Sequence, residues 1–232
     1  MDVMYMFEIL PSFLSVLHIT VIALVASATL GLLLGVLITT IRIKEIKFLK
    51  KLVELFISFT RSVPIVLQLF LVYYALPVVL SLVGIEIRGL SPMVATVIAL
   101  TLYNAGYMSE VIRPAYLSVS RGQHEAAKSL GYTPFQRIRR IIVPQVVPVA
   151  LPGWGNALVY LLQDTALIFT IGVIDIMGTA DILVSGSYGV NQVEIYLTVA
   201  IMFWIICLII DQIIRLLEKK TEKFHLGSGI KR

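Results

Sequence analysis

The chain alternates between long apolar stretches and short polar breaks. A helix needs about 20 mostly apolar residues to cross the hydrocarbon of a bilayer, and five stretches approach or exceed that length: residues 13–41, 64–83, 92–112, 146–163 and 193–214. The pattern predicts an all-α membrane protein with five transmembrane helices, arranged as one domain over residues 1–232. The apolar run 52–83 is too long for a single comfortable crossing. Pro64 divides it, because proline lacks the amide that a helix interior uses. The part before it, residues 52–63 with Glu54, Ser58, Thr60 and Arg61, reads as a helix lying at the inner interface. Residues 165–177 are apolar but too short to cross at about 1.5 Å of rise per residue. They read as a hairpin dipping part-way into the outer face, its backbone shielded by neighbouring helices. Residues 178–192, polar and containing glycine, read as a loop. In the first crossing Gly31 and Gly35 stand in GxxxG spacing and, with Ala23, Ser27 and Ala28, offer small surfaces for packing within one subunit or between two.

The polar break 113–145 has structure of its own. A short helix over about 121–130 stops at Gly131, the residue that best tolerates the left-handed turn after a helix. A second opens with Thr133 as N-cap, Pro134 at the first helical position and Gln136 at capping-box spacing, and is expected to end before Pro144. Across both, Glu125, Ala126, Ala127, Gly131, Ile141, Val143 and Pro144 keep a spacing that resembles the EAA loop of the membrane subunits of ATP-binding-cassette importers. The departure is Val143, where that pattern usually carries leucine. The resemblance implies that residues 113–145 form a cytoplasmic coupling loop. It also implies that Glu125, Ala126, Ala127, Gly131, Ile141 and Pro144 seat it in a groove of a separate ATPase subunit.

Composition agrees with the apolar pattern: 58% of the 232 residues are hydrophobic and the mean hydropathy is +0.93, far above the needs of a soluble domain. The 19 Lys and Arg against 14 Asp and Glu give a net charge of +5, and their placement decides what this means. Five basic residues (Arg42, Lys44, Lys47, Lys50, Lys51) fall between the first two crossings. Six (Arg113, Arg121, Lys128, Arg137, Arg139, Arg140) fall between the third and fourth, and six (Arg215, Lys219, Lys220, Lys223, Lys231, Arg232) in the tail. With Arg61 that places eighteen of the nineteen on one side and leaves Arg88 for the other. Positive charge accumulates on the cytoplasmic side, so the N-terminus is predicted outside, and the C-terminus and coupling loop inside. The charge is membrane topology, and nucleic-acid binding is excluded as its explanation.

The single cysteine, Cys207, lies in an apolar run and builds no disulfide or cysteine metal site. His18, His124 and His225 lack ligand spacing, so no metal site is predicted. No secretory signal is expected, since the residues before Phe13 carry no Lys or Arg and the apolar run that follows is longer than a signal core. The chain contains no G-x-x-x-x-G-K-[ST] sequence, so it cannot cradle ATP by that loop. No catalytic residue is predicted and no cofactor is assigned to this chain; ATP and Mg would belong to the partner ATPase.

A narrower resemblance runs through residues 55–180. Thr60, Arg61 and Pro64, with Gln68 and Phe70, are similar to the TxRxxPxxxQxF segment of polar amino acid permeases, the histidine, glutamine, arginine and cystine group. Glu110, Arg113, Gly122 and Gln123 around the EAA core, and Gln163 to Leu167 with Ile171, Gly172, Val173 and Asp175, resemble the same group. Pro114, Ala115, Ser120, Arg121 and Gln163 depart from its pattern and leave the side chain of the substrate undecided. The resemblance implies a type I importer membrane domain, an ATPase partner, a second permease subunit (identical or a close paralogue), an extracellular or periplasmic solute-binding protein, and residence in a bacterial inner membrane.

Polar residues at membrane depth are costly unless paired or facing water, which makes Gln68, Tyr103, Asn104, Tyr107, Glu110, Asn156, Tyr160 and Gln163 candidates for the substrate path. Such residues also tie helices together, and Glu110 has Arg113 three residues on as an alternative partner. Asp164, Asp175 and Asp181 fall toward the outer face, where a delivering protein or plain solvent would meet them. The rival function is an ion-gradient-driven secondary transporter or channel. Such carriers usually show more crossings, internal repeats and several deep charges, which this chain does not display.

Overall fold

The computed structural model describes residues 2–87 and 89–227, and these are almost wholly helical. The helices are α1 (Val3–Ile43), α2 (Lys47–Ser62), α3 (Ile65–Leu82), α4 (Pro92–Leu117), α5 (Arg121–Ser129), α6 (Pro134–Thr165), α7 (Ile176–Gly186) and α8 (Gln192–Gly227). Helix α1 begins ten residues before the apolar run because Asp2 caps it: its carboxylate accepts from the amides of Met4 at 2.9 Å and Tyr5 at 3.2 Å, satisfying two of the free amides of the first turn. Of the charges used for the orientation count, Arg88, Lys231 and Arg232 lie outside the described residues.

By length and composition, α1, α3, α6 and α8 are long and apolar enough to cross a membrane. Helix α4, the expected third crossing, is 26 residues long but falls outside this group, because Tyr103, Asn104, Tyr107, Ser109 and Glu110 dilute its apolar character. Its position explains the dilution. Ala95, Ala99, Leu100, Ala105 and Met108 are at most 1% exposed, so α4 is enclosed largely by other helices. Other helices carry the apolar exterior: Leu33 and Leu37 of α1, Val78 and Val79 of α3, and Ile205 and Ile209 of α8 are exposed.

Helix α1 lies directly against α4, and the two glycines permit it. A Cβ on Gly31 would stand 2.6 Å from Asn104 Nδ2, and one on Gly35 would collide with Met108 Cβ. The GxxxG spacing therefore serves packing inside one chain, with backbones close enough for dispersion and weak polar contacts to hold the pair. Ser27 adds a hydroxyl to the Val97 carbonyl, and Thr39 one to Ser109 Oγ.

Two expectations are corrected here. Pro64 does end α2, but Pro144 does not end the helix begun at Thr133. A widened π turn over Ile138–Ile142, closed by the Val143 amide on the Ile138 carbonyl, carries α6 past Pro144, which has no amide to lose. The same device over Leu71–Ala75 carries α3 past Pro77. Residues 178–192 are not a loop throughout: α7 occupies Ile176–Gly186, started by Asp175, whose Oδ1 accepts from the Gly178 amide at 3.0 Å. Before it, a tight turn at Ile168–Ile171 and the following residues sink into the core, with Ile168, Ile171, Val173 and Ile176 at most 7% exposed.

Candidate functional site

The base of the molecule is formed by the last turns of α4, by α5, and by the first turns of α6. Ala115 and Val119 meet Ile142 and Val146 in a small apolar cluster, joined by Tyr116 and Ile141. Helix α5 is held beneath it by the His124 ring, which stands edge-on to Tyr116 at 5.7 Å between centroids. Gly131 has φ +76°, a conformation that costs other residues about 1–2 kcal/mol. There the amides of Gly131 and Tyr132 turn back to the carbonyls of Lys128 and Ala127 at 3.0 and 3.1 Å, closing the helix end. Thr133 and Gln136 then cap each other, Gln136 N donating to Thr133 Oγ1 at 3.3 Å and Thr133 N to Gln136 Oε1 at 2.9 Å.

The six residues singled out in this loop divide into two sets. Glu125, Ala126 and Gly131 are exposed. Ala127 is 1% exposed, and Ile141 and Pro144 are half-buried, so these three face the chain itself. Beside the exposed set, Leu117, Leu130, Phe135 and Ile138 present large apolar side chains. An exposed helix carrying charges of both signs (Arg121, Glu125, Lys128) and rimmed by unburied apolar groups is the chemistry of a protein contact.

Above this base, Glu110 ties three helices together. Its Oε1 accepts from Arg42 Nη1 of α1 at 2.6 Å and its Oε2 from Arg61 Nη1 of α2 at 3.2 Å, while Arg42 Nη1 also donates to Ser109 Oγ at 3.0 Å. The alternative partner Arg113 is not used. Arg42, Arg61 and Glu110 line a cavity of about 510 Å³ together with Glu54, Ile57, Ser58, Ser62 and Tyr107. Helix α2 turns its polar positions Glu54, Ser58, Arg61 and Ser62 to this cavity, and leaves Phe48, Leu52, Leu55 and Phe59 exposed on other sides. Sequence reasoning missed Arg42 and Arg61 as partners of Glu110. Arg42 was visible only as a topology charge and Arg61 as that and as part of the TxRxxP segment, and no local spacing links residues 42, 61 and 110.

The remaining path candidates separate by burial. Gln68 is 4% exposed and its Nε2 donates to the carbonyls of Thr60 at 2.9 Å and Val63 at 2.8 Å. Thr60 would bond residue 64 in a continuous helix, and Pro64 has no amide to give, so Gln68 substitutes for it. Asn104 is 3% exposed and rests on α1, its Nδ2 3.5 Å from the Ala28 carbonyl. Tyr103 and Tyr107 lie 5.0 Å apart and flank a narrow cleft closed by Asn104, Ala157, Tyr160 and Leu161. Asn156, Tyr160 and Gln163 are exposed along one side of α6. Of the three aspartates expected toward the outer face, Asp181 is exposed. Asp175 is fully buried as a helix cap that also accepts from Thr20 Oγ1 at 3.4 Å, and Asp164 holds a buried Oδ2 with no partner among the described residues.

Residues 28–223 match the family of binding-protein-dependent transport system inner membrane components. The chain belongs to that family. It is 34% identical to the L-cystine transport system permease protein TcyL of Bacillus subtilis (strain 168), over 93% of this chain and 90% of the relative. It is 37% identical to the probable amino-acid ABC transporter permease protein PatM of Vibrio harveyi, over 97% and 98%. The crystal structure of an amino acid ABC transporter with histidines superimposes with a TM-score of 0.80 at 30% identity, over 95% of this chain and 99% of that one. The resemblance read from the EAA spacing and the TxRxxP segment is thus a family relationship over nearly the whole chain.

Proposed function

We propose that the protein is the membrane subunit of an ATP-driven importer of polar amino acids, coupled through residues 113–145 to a separate ATPase chain. In this reading α1, α3, α4, α6 and α8 are the five crossings of a type I importer domain in a bacterial inner membrane, with the N-terminus outside and the base inside. Helix α4 counts as a crossing despite its polar residues because protein, rather than lipid, surrounds most of it. The names of the relatives support the substrate class, TcyL by L-cystine and PatM by amino acids.

The observation that carries the coupling role is the surface of α5. Glu125 and Ala126 project beside exposed Leu130 and Phe135, on a base whose buried cluster joins α4 to α6. A push on α5 is thereby delivered to two crossings at once. ATP and Mg belong to the ATPase partner. Glu125 pairs with a basic group of its groove, and closure of the ATPase pair draws the bases together and opens the path outward. Asn156, Tyr160 and Gln163, exposed on one side of α6, are where a second permease subunit closes over the path. A solute-binding protein delivers the amino acid from outside.

Purification with the co-expressed ATPase and reconstitution with the binding protein test this reading. ATP-dependent uptake of a polar amino acid that survives ionophores is the expected result. Uptake driven by an ion gradient in the absence of ATP would install the secondary-transporter alternative.

A further inference from the structure

The cavity between α1, α2 and α4 has a composition that a simple gap between helices does not need. Its walls carry two guanidinium groups (Arg42, Arg61), two carboxylates (Glu54, Glu110) and the hydroxyls of Ser58, Ser62 and Tyr107. The four formal charges sum to zero, so the cavity suits a molecule bearing both signs, and any preference for one sign rests on which of the four are left uncommitted. They are also unequally committed. Glu110 and Arg42 are engaged with each other, Arg42 being only 13% exposed in its side chain. The Arg61 side chain is 50% exposed and gives Glu110 one contact through Nη1, its other donors having no partner among the described residues and being open to a planar carboxylate, the geometry a guanidinium fits best. Glu54 is exposed on the same helix, seven residues earlier, which is roughly 10 Å along the axis. That distance is too long for the two charges of an α-amino acid head alone.

We infer that this cavity is an inner subsite for an extended amino acid with a cationic distal end, its α-carboxylate on Arg61 and its distal cation on Glu54. The α-ammonium lies beside Glu110, and Ser58 sits between the two ends. The inference rests on the importer reading above, and adds to it where the solute pauses on the cytoplasmic side and which solutes are held there.

The test uses the assembled permease–ATPase complex in proteoliposomes, with Cys207→Ser as background and Ser58→Cys as the reporter, labelled by a small thiol reagent. The probes are L-arginine, L-glutamine, which lacks the distal cation, and agmatine, which lacks the carboxylate. L-arginine at ten times its dissociation constant should slow labelling about tenfold, with L-glutamine and agmatine several-fold less effective. Glu54→Gln should remove the advantage of L-arginine over L-glutamine. Ser62→Cys, one turn further along the same wall, repeats the measurement should position 58 resist the reagent or disturb assembly. No protection by L-arginine at either position, or equal protection by all three probes, overturns the subsite. Uptake measured in the same vesicles separates the two readings: ATP-dependent uptake without protection removes this inference alone, and failure to take up any polar amino acid removes both.

Discussion

The base around α5 and the charge cluster around Glu110 both lie toward the C-terminal end of α4, yet they are built by opposite means. The base is local. Its helix stop, its cap and its exposed charged face all arise from residues 121–137, and each is set by neighbours within a few positions. The cluster is assembled from residues 42, 61 and 110, brought together by three helices that have no short-range reason to meet. The difference shows where a fold can be altered without losing the rest. Damage to the base should disconnect a partner from an intact membrane domain, while damage to the cluster should loosen the domain itself.

The largest expected effect separates the two regions most sharply. Glu125→Lys reverses the charge of an exposed residue and should bring substrate-stimulated ATP hydrolysis in proteoliposomes down to the unstimulated rate, with membrane insertion and thermal stability unchanged. A matching drop in stability would mean that the base is not separable. Next, Glu110→Leu leaves Arg42 largely buried without its counter-ion, which should cost about 2–3 kcal/mol, below the full penalty of a wholly enclosed pair. Thermal unfolding in detergent reads it, and unchanged stability would reduce the cluster to a surface contact. Thr133→Ala removes one half of the reciprocal cap and should cost about 1 kcal/mol, confined to the base. Hydrogen exchange limited to residues near 133–137 is the expected signature, and exchange spreading into α4 would blur the division. Arg61→Ala breaks the more exposed arm of the cluster and should cost only about 0.5 kcal/mol. A loss as large as that of Glu110→Leu would show that both arms carry the cluster equally.

The same division accounts for what was legible in the sequence. The helix stop at Gly131, the cap at Thr133, the break at Pro64 and the apolar exteriors of α1, α3, α6 and α8 depend on neighbours or on period, which a linear reading contains. The partners of Glu110 depend on which helices touch, and the nearest candidate by spacing, Arg113, was the wrong one. Gln68 and Asn104 read as path residues because polarity at depth was the only signal. Their geometry shows each occupied with backbone, Gln68 replacing an amide that Pro64 lacks and Asn104 resting on the Gly31 surface. Helix α7 was missed because the polar residues and glycines of 178–192 read as a loop, while its start depends on Asp175 being buried with Thr20, 155 positions away. Proline misled at Pro144 for a different reason: a widened turn five residues long absorbs the residue that ended α2 at Pro64.

That widened turn has a geometric consequence for everything below it. Each residue of a regular α-helix advances the winding by about 100°, so the additional residue at Ile138–Ile142 sets the azimuth at which Phe135 and Arg137 leave the molecule. Deleting one residue there would restore ordinary winding, return Pro144 to a collision with a carbonyl, and swing α5 to another quarter of the compass. Loss of ATPase co-purification from such a deletion, with the crossings still inserted, would mark the bulge as the part that aims the handle toward its motor.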